Sequence, residues 1–406
     1  MEGATAVGEG YRQSSSEARP LFVRVLLVLF AIGWAANHFT GLMPAVSDSG
    51  GIAHSTRDAI FGIYALGLLP GLLGGGRLSD AFGRFPMACA GALSALAGTL
   101  LMLVSVHPDA LLLGRLIVGI GVGLTVSSCT AWASDLQGPV GAATAGTVLS
   151  VGFAVGPLVS GVIASLGQPG IRVCFATAAT LVVLSLIAVV SAYRANIPSP
   201  RPSTDSSTSA PQRRGAARAV SWAMPLAPWI FASVCLAGVS IPSRVHTTLT
   251  ASLATGTATM LAIASGVVVQ LVARSRGWGP QSGTVGALLA AAGYAATAAA
   301  PPVVSLWLAL PLLVVLGCAY GLCLREGLVD LEAAAPQAIR GALTGAFYAF
   351  AYLGFGLPLL LTIAGPARGS ALTLAGMSIL ATLVAVNRAI RLRQDQHRRP
   401  RAPIIR

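Results

Sequence analysis

The sequence predicts an all-α membrane protein: twelve transmembrane helices in two pseudo-symmetric six-helix bundles. Three observations lead there. Of 406 residues, 55% are hydrophobic and only 10% charged, against about 25% charged in an average soluble domain, too few to cover a water-facing surface. Apolar runs of about 20 residues, the length that crosses hydrocarbon, recur along the whole chain. One long polar stretch, residues 195–221, separates six such runs from six more.

The runs lie roughly at 22–46, 57–79, 85–106, 110–134, 141–166 and 171–194, then at 222–243, 252–273, 282–300, 303–326, 339–364 and 369–390. Pro70, Pro157 and Pro358 fall inside them, which membrane helices tolerate because neighbouring helices re-satisfy the freed backbone groups. Residues 1–20 are polar and read as an N-terminal tail. The run that follows, from Leu21 to about Val46, is too long for a cleavable leader, so the first helix is expected to stay as an anchor. Residues 195–221, rich in Pro, Ser, Thr and Arg and without hydrophobic period, read as a disordered linker. The bundles are then 21–194 and 222–390, and 391–406 form a basic tail, either a flank that stops transfer or a segment against anionic lipid.

All 26 basic residues are arginine, and their placement orients the chain. With both ends cytoplasmic, Arg24, Arg77, Arg84, Arg194, Arg274, Arg276, Arg340, Arg388 and the arginines of the tails and linker are inside, twenty in all. Arg57, Arg115, Arg172, Arg244 and Arg368 are the five outside or near an outer end, and Arg325 is left unassigned. That asymmetry fixes an even number of spans. The Ala-, Gly- and Arg-rich composition suggests a GC-rich genome and hence a bacterial inner membrane. The net charge of +13 invites a nucleic-acid reading, but the arginines sit in short loops and tails, as in membrane proteins, so no nucleic-acid partner is expected. The six cysteines, Cys89, Cys129, Cys174, Cys235, Cys318 and Cys323, lie in apolar runs with no CxxC pair. They read as small core residues, and neither metal nor cofactor is expected. No nucleotide-binding loop and no enzyme constellation appears.

The halves repeat weakly. Gly119-Ile-Gly-Val-Gly123-Leu124 in the fourth span matches Gly317-Cys-Ala-Tyr-Gly321-Leu322 in the tenth, and Gly156-Pro157 in the fifth matches Gly356-Leu-Pro358 in the eleventh. A duplicated six-helix unit places a cavity between halves that rock about it.

Between the second and third spans stands Gly76-Arg-Leu-Ser-Asp80-Ala-Phe-Gly83-Arg84-Phe. Gly76 would permit close helix contact, Gly83 a tight turn, and Asp80 could pair with Arg84 or cap a helix. The segment resembles the loop signature of the major facilitator superfamily, with Ala81 and Phe85 in place of basic residues. Leu111-x-x-x-Arg115-x-x-Val118-Gly119-x-Gly121 resembles that family's fourth-helix motif, with Val118 for a glutamine. Gly152-Phe-Ala-Val-Gly156-Pro157-Leu-Val-Ser160-Gly161 resembles the fifth-helix motif of its exporters, with Ser160 for a glycine. The resemblance implies a monomeric secondary transporter. It gives Asp80, Arg84 and Asp135 to a cytoplasmic latch, and Gly152, Gly156, Pro157 and Gly161 to a helix that packs tightly, bends and changes packing between states.

Polar groups inside spans are the remaining candidates. Asn37 and His38 lie in the first span; His38 either carries a proton or hydrogen-bonds a neighbouring helix. Arg115 either faces a cavity or partner, biasing a nearby protonation, or snorkels to the outer headgroups. Glu326 and Asp330 share a helix face and are either rim charges or include a proton-coupling acid, Glu326, with Arg325 paired to another helix. Tyr64, Tyr348 and Tyr352 could line the cavity, or simply pack. The expected function is proton-coupled efflux of a small amphipathic compound. Uptake or facilitated diffusion of a nutrient is the alternative, and a transport-inactive scaffold or sensor the third.

Overall fold

The computed structural model describes residues 2–195, 211–336, 339–365 and 368–398. The chain is helical: α1 (Glu2–Gly50), α2 (His54–Phe82), α3 (Arg84–Val104), α4 (Pro108–Ala164), α5 (Gln168–Ala195), α6 (Pro211–Ala223), α7 (Ala227–Cys235), α8 (Ala251–Ser275), α9 (Gln281–Ala299), α10 (Leu306–Ala334), α11 (Arg340–Tyr352), α12 (Leu357–Ala364) and α13 (Arg368–Arg398). The label α4 covers the fourth and fifth expected spans, two helices that meet at a kink where Gln137 and Gly138 (φ 62°) leave helical dihedrals; the two limbs are separate spans, Pro108–Gly138 and Val140–Ala164. The seventh runs from α6 through α7 into a π-helical turn, Leu236–Ser240, and the eleventh joins α11 to α12 through a 3-10 turn, Leu353–Gly356.

Eleven segments among the described residues are long and apolar enough to cross a membrane. The ninth expected span, α9, is helical over 19 residues yet stands outside that set. Ala, Gly and Thr dominate it, and they are less hydrophobic than the Leu and Val of the other spans. Its length, about 28 Å at 1.5 Å per residue, still nearly matches the hydrocarbon, and it packs against α10 and α13. Leu66, Ile187 and Ile379 are each 62% exposed; such outward apolar side chains on buried-core helices are where lipid belongs.

The described parts of the two expected tails and of the expected disordered linker are helical. α1 begins at Glu2, inside the expected tail, and α13 continues to Arg398. Residues 211–221 of the expected disordered linker belong to α6, while 196–210 lie outside the described residues. Pro211 opens α6 where its missing N–H costs nothing, Ala and Arg favour helix, and Ala219 and Ala223, four apart, are fully buried. The expected bend at Pro157 is absent from the backbone dihedrals, which stay helical there.

Two compact units form, Met1–Thr208 with Thr248–Met260, and Ser209–Thr247 with Leu261–Arg406. In the first, a Cβ on Gly67 or Gly119 would run into the facing backbone of α4 or α2, so these helices touch main chain to main chain. In the second, Gly317 and Gly321 of α10 meet Ala262 and Gly266 of α8 in the same way. The fifth-span glycines face α1 in the first unit, and Gly354 faces Ala232 of α7 in the second. The fourth- and tenth-span motifs thus face corresponding helices of their own units, whereas in the eleventh span Gly354 makes the contact and a Cβ on Gly356 of the motif would meet nothing. The cysteines are all free.

Candidate functional site

The α2–α3 turn is one residue long. Gly83 takes φ 95° and ψ 152°, a region closed to residues with a Cβ, and the reversal brings Arg84 back over the end of α2. Its guanidinium pairs with Asp80, 2.5 Å away, with Asp135 at the end of the first limb of α4, 2.9 Å, and with the hydroxyl of Ser79, 3.2 Å. The three charged residues expected together are together, and Asp80, with its side chain 66% exposed, keeps an open face. Gly76 does not serve as the expected helix contact, because a Cβ there would meet nothing. The close neighbour is Gly75, which abuts Ser127 of α4. Gly277 (φ 61°) provides the corresponding turn in the second unit.

Arg115 does not snorkel. It is 1% exposed, it donates to the Ala36 carbonyl of α1 at 3.0 Å, and its guanidinium lies 4.4 Å from the Tyr64 ring centre and 4.9 Å from that of Phe39. Among the described residues no carboxylate pairs with it, and its Nε has no hydrogen-bond partner. Ring faces replace the counter-ion. Tyr64 is therefore a buried wall for Arg115, not a cavity residue.

Asn37 and Pro157 belong to one device. Pro157 has no N–H, so it leaves the Phe153 carbonyl, one helical turn earlier, without its usual donor. The Asn37 side-chain amide donates to that carbonyl at 2.7 Å, and its carbonyl oxygen accepts from Thr40 at 2.9 Å. The same stretch of α1 fills the glycine seam: a Cβ on Gly152 would strike Phe30 and Trp34, and one on Gly156 would press on Trp34 and His38. Gly161 packs against Ser252 in the first turns of α8. The His38 hydrogen bond goes to its own helix, to the Ala35 carbonyl at 3.0 Å, not to a neighbour; there Nδ1 must be the donor. Nε2 is buried without a hydrogen-bond partner, and the ring meets Phe175 edge-on.

Glu326 is not at a solvated rim. It is 2% exposed and accepts from Ser282 (2.6 Å), Arg325 (3.1 Å) and Arg388 (3.4 Å). Arg388 also reaches Asp330 at 2.7 Å, which separates the two acids' charges. Arg325, expected to pair with another helix, pairs with its neighbour because its long side chain can double back. It reaches Ser282 of α9 as well, at 3.3 Å. Arg388 is the residue that sequence reasoning missed. As an arginine in the last turns of the last span it was indistinguishable from a flank of the basic tail, yet it is 4% exposed. Asp58, buried beside Arg57 at 3.2 Å, was also passed over. Tyr352 is stacked on Phe231 at 4.3 Å and buried; Tyr348 stands beside it, less covered.

A family model described as Major Facilitator Superfamily matches residues 25–359. A crystal structure of a peptide transporter POT in complex with sulfate superposes with TM-score 0.75 at 15% identity, covering 93% of this chain and 94% of that one. A POT family transporter in complex with 5-aminolevulinic acid gives TM-score 0.74 at 14% identity over 94% of this chain and 96% of that one. At these identities the likeness is one of fold. Solute carrier family 2, facilitated glucose transporter member 10, from Mus musculus, is 30% identical over 135 residues, 33% of this chain and 25% of that protein. The match spans about a quarter of that relative's length.

Proposed function

From a chain that belongs to the Major Facilitator Superfamily, and so is a secondary transporter and not an enzyme, we propose export of a small amphipathic compound in exchange for protons, by alternating access of the two halves. The observation that carries the proposal is one turn of α1. Residues 34–38 pack on Gly152 and Gly156, hold Asn37 on the carbonyl that Pro157 frees, receive Arg115 at Ala36, and carry His38 with an open Nε2. A seam lined by glycine offers close contact without interlocked side chains, so it can repack. A proton reaching Nε2 adds a charge to a packed apolar turn that already has Arg115 beside it. The turn must repack to give that charge water. Protonation and helix packing are then linked through shared atoms, and His38 is the coupling group with Arg115 as its fixed electrostatic neighbour. Glu326, held by two arginines, suits the integrity of the second unit better than proton exchange.

Asp80, Arg84 and Asp135 form the latch in this reading, with the exposed face of Asp80 free to engage in one state and release in the other. The arginine asymmetry supports both ends in the cytoplasm, and the Ala-, Gly- and Arg-rich composition a bacterial inner membrane. The testing experiment is a susceptibility screen of amphipathic toxic compounds against cells with and without the gene. Compounds that distinguish the strains are then followed in proteoliposomes under an imposed pH gradient. Protection by the wild-type chain and its loss in His38→Asn support the proposal.

A second reading is facilitated diffusion of a small polar solute without coupling. The partial match to a facilitated glucose transporter favours it. It requires that flux follow the solute gradient alone and that His38→Asn leave flux intact.

A further inference from the structure

At the end of the second unit that the arginines assign to the cytoplasm lies a cavity of about 820 Å³, lying against the Glu326 network. A smaller one of about 490 Å³ adjoins it, sharing Arg218, Trp222 and Asp395. Apart from Glu326, their lining residues fall outside those assigned above to latch and coupling. α6, whose docking no sequence signal announced, and α13 line both, and α10 supplies the largest part of the larger one's wall. Arg391 of α13 bonds Ser221 at 2.8 Å and 3.0 Å and lies 4.3 Å from the Trp222 ring centre.

The wall is of two kinds. Its deep part is held by ion pairs, Glu326 with Arg325 and Arg388 and Asp330 with Arg388. The mouth is not. Arg218 and Asp395 stand 3.2 Å apart with side chains 65% and 45% exposed, and a pair so exposed contributes only about 0–1 kcal/mol. It can be exchanged for an occupant with both charges, an anionic group for Arg218 and a cationic one for Asp395. Two further features choose the occupant. Trp222 and Trp278 line the cavity, as indoles do at the headgroup level of a bilayer. Val329, also on the wall, is 44% exposed and gives an apolar exit from a polar site. A water-soluble zwitterion has no use for that exit; a lipid has.

We propose that this cavity binds the headgroup of a cytoplasmic-leaflet phospholipid carrying a primary amine. The phosphate accepts from Arg218, the ammonium donates to Asp395, and an acyl chain leaves past Val329. A trimethylated amine has no N–H to give Asp395, so phosphatidylcholine is the discriminating probe.

The test is native mass spectrometry of the full-length protein released from mixed nanodiscs, with melting temperature in detergent after adding each lipid. Phosphatidylethanolamine should be retained at about one per chain and should raise the melting temperature, while phosphatidylcholine does neither. Arg218→Gln and Asp395→Asn, both at exposed positions, should keep the helical circular dichroism. Each should weaken retention about tenfold, the effect of one charge-assisted hydrogen bond. Equal retention of the two lipids, or undiminished retention in both variants, would overturn the proposal. So would a shift by soluble glycerophosphoethanolamine as large as the lipid's, which would assign the site to a soluble zwitterion.

Discussion

Pro157 is the reason Asn37 is where it is. The proline removes a donor from the Phe153 carbonyl, and the Asn37 amide supplies one at 2.7 Å. This predicts a double-mutant cycle. Asn37→Leu alone should cost about 0.6–2 kcal/mol, the range for interhelical hydrogen bonds in membranes. In a Pro157→Ala background, where residue 157 regains its N–H, it should cost close to nothing. Thermal unfolding of the four proteins in detergent measures the coupling; equal costs in both backgrounds would separate the two residues. Glu326 and Arg388 make the contrasting case. Removing either leaves the other's charge buried and incompletely paired, which costs about 3–5 kcal/mol. Glu326→Gln and Arg388→Met should therefore lower the yield of folded protein, as fluorescence-detected size-exclusion chromatography would show. Normal yield with lost proton coupling would return Glu326 to the transport pathway. Sequence alone could name Asn37, His38, Arg115 and Glu326, because a polar group inside an apolar run stands out. It could not say which were satisfied, because Arg388, Ser282 and the Phe153 carbonyl are partners only in three dimensions.

Elements were legible where period and length are strong. The spans stood out from their length, and the Gly83 turn from its loop signature. What stayed hidden follows from composition. α6 has few apolar residues, so its buried Ala219 and Ala223 gave no visible stripe between polar neighbours. α9 is almost all small residues, which carry little hydropathy although they pack well. Gly76 and Gly75 differ by a hundred degrees around a helix, and no pattern separates them without a facing surface. The structure makes the pair testable. Gly76→Ala should be neutral. Gly83→Ala forces a side chain into a glycine-only conformation at about 1–3 kcal/mol and should lower the melting temperature. At the same turn, Asp80→Asn should reduce transport while expression and melting temperature stay normal, because its side chain is largely exposed and Arg84 keeps Asp135. Transport that survived the change would make Asp80 a local turn residue.

For the molecule as a whole, glycines of the repeated spans face equivalent helices in each unit: α4 on α2 and on α1, then α10 on α8 and the eleventh span on α7. That internal correspondence is the mark of a duplicated six-helix unit. Reporter fusions at residue 205 and at the C-terminus should both report cytoplasm, and one near Asp48 the outside; opposite signs at the first two would break the two-half arrangement. In the proposed mechanism, protons drive uphill export through the α1 turn at His38. The most direct measurement follows one exported compound in everted vesicles, with ATP and the proton gradient controlled separately. Collapse of the gradient at constant ATP should abolish accumulation, depletion of ATP at a fixed gradient should leave it intact, and His38→Asn should equilibrate the compound without accumulating it. Net accumulation that persists after the gradient has collapsed would contradict the account.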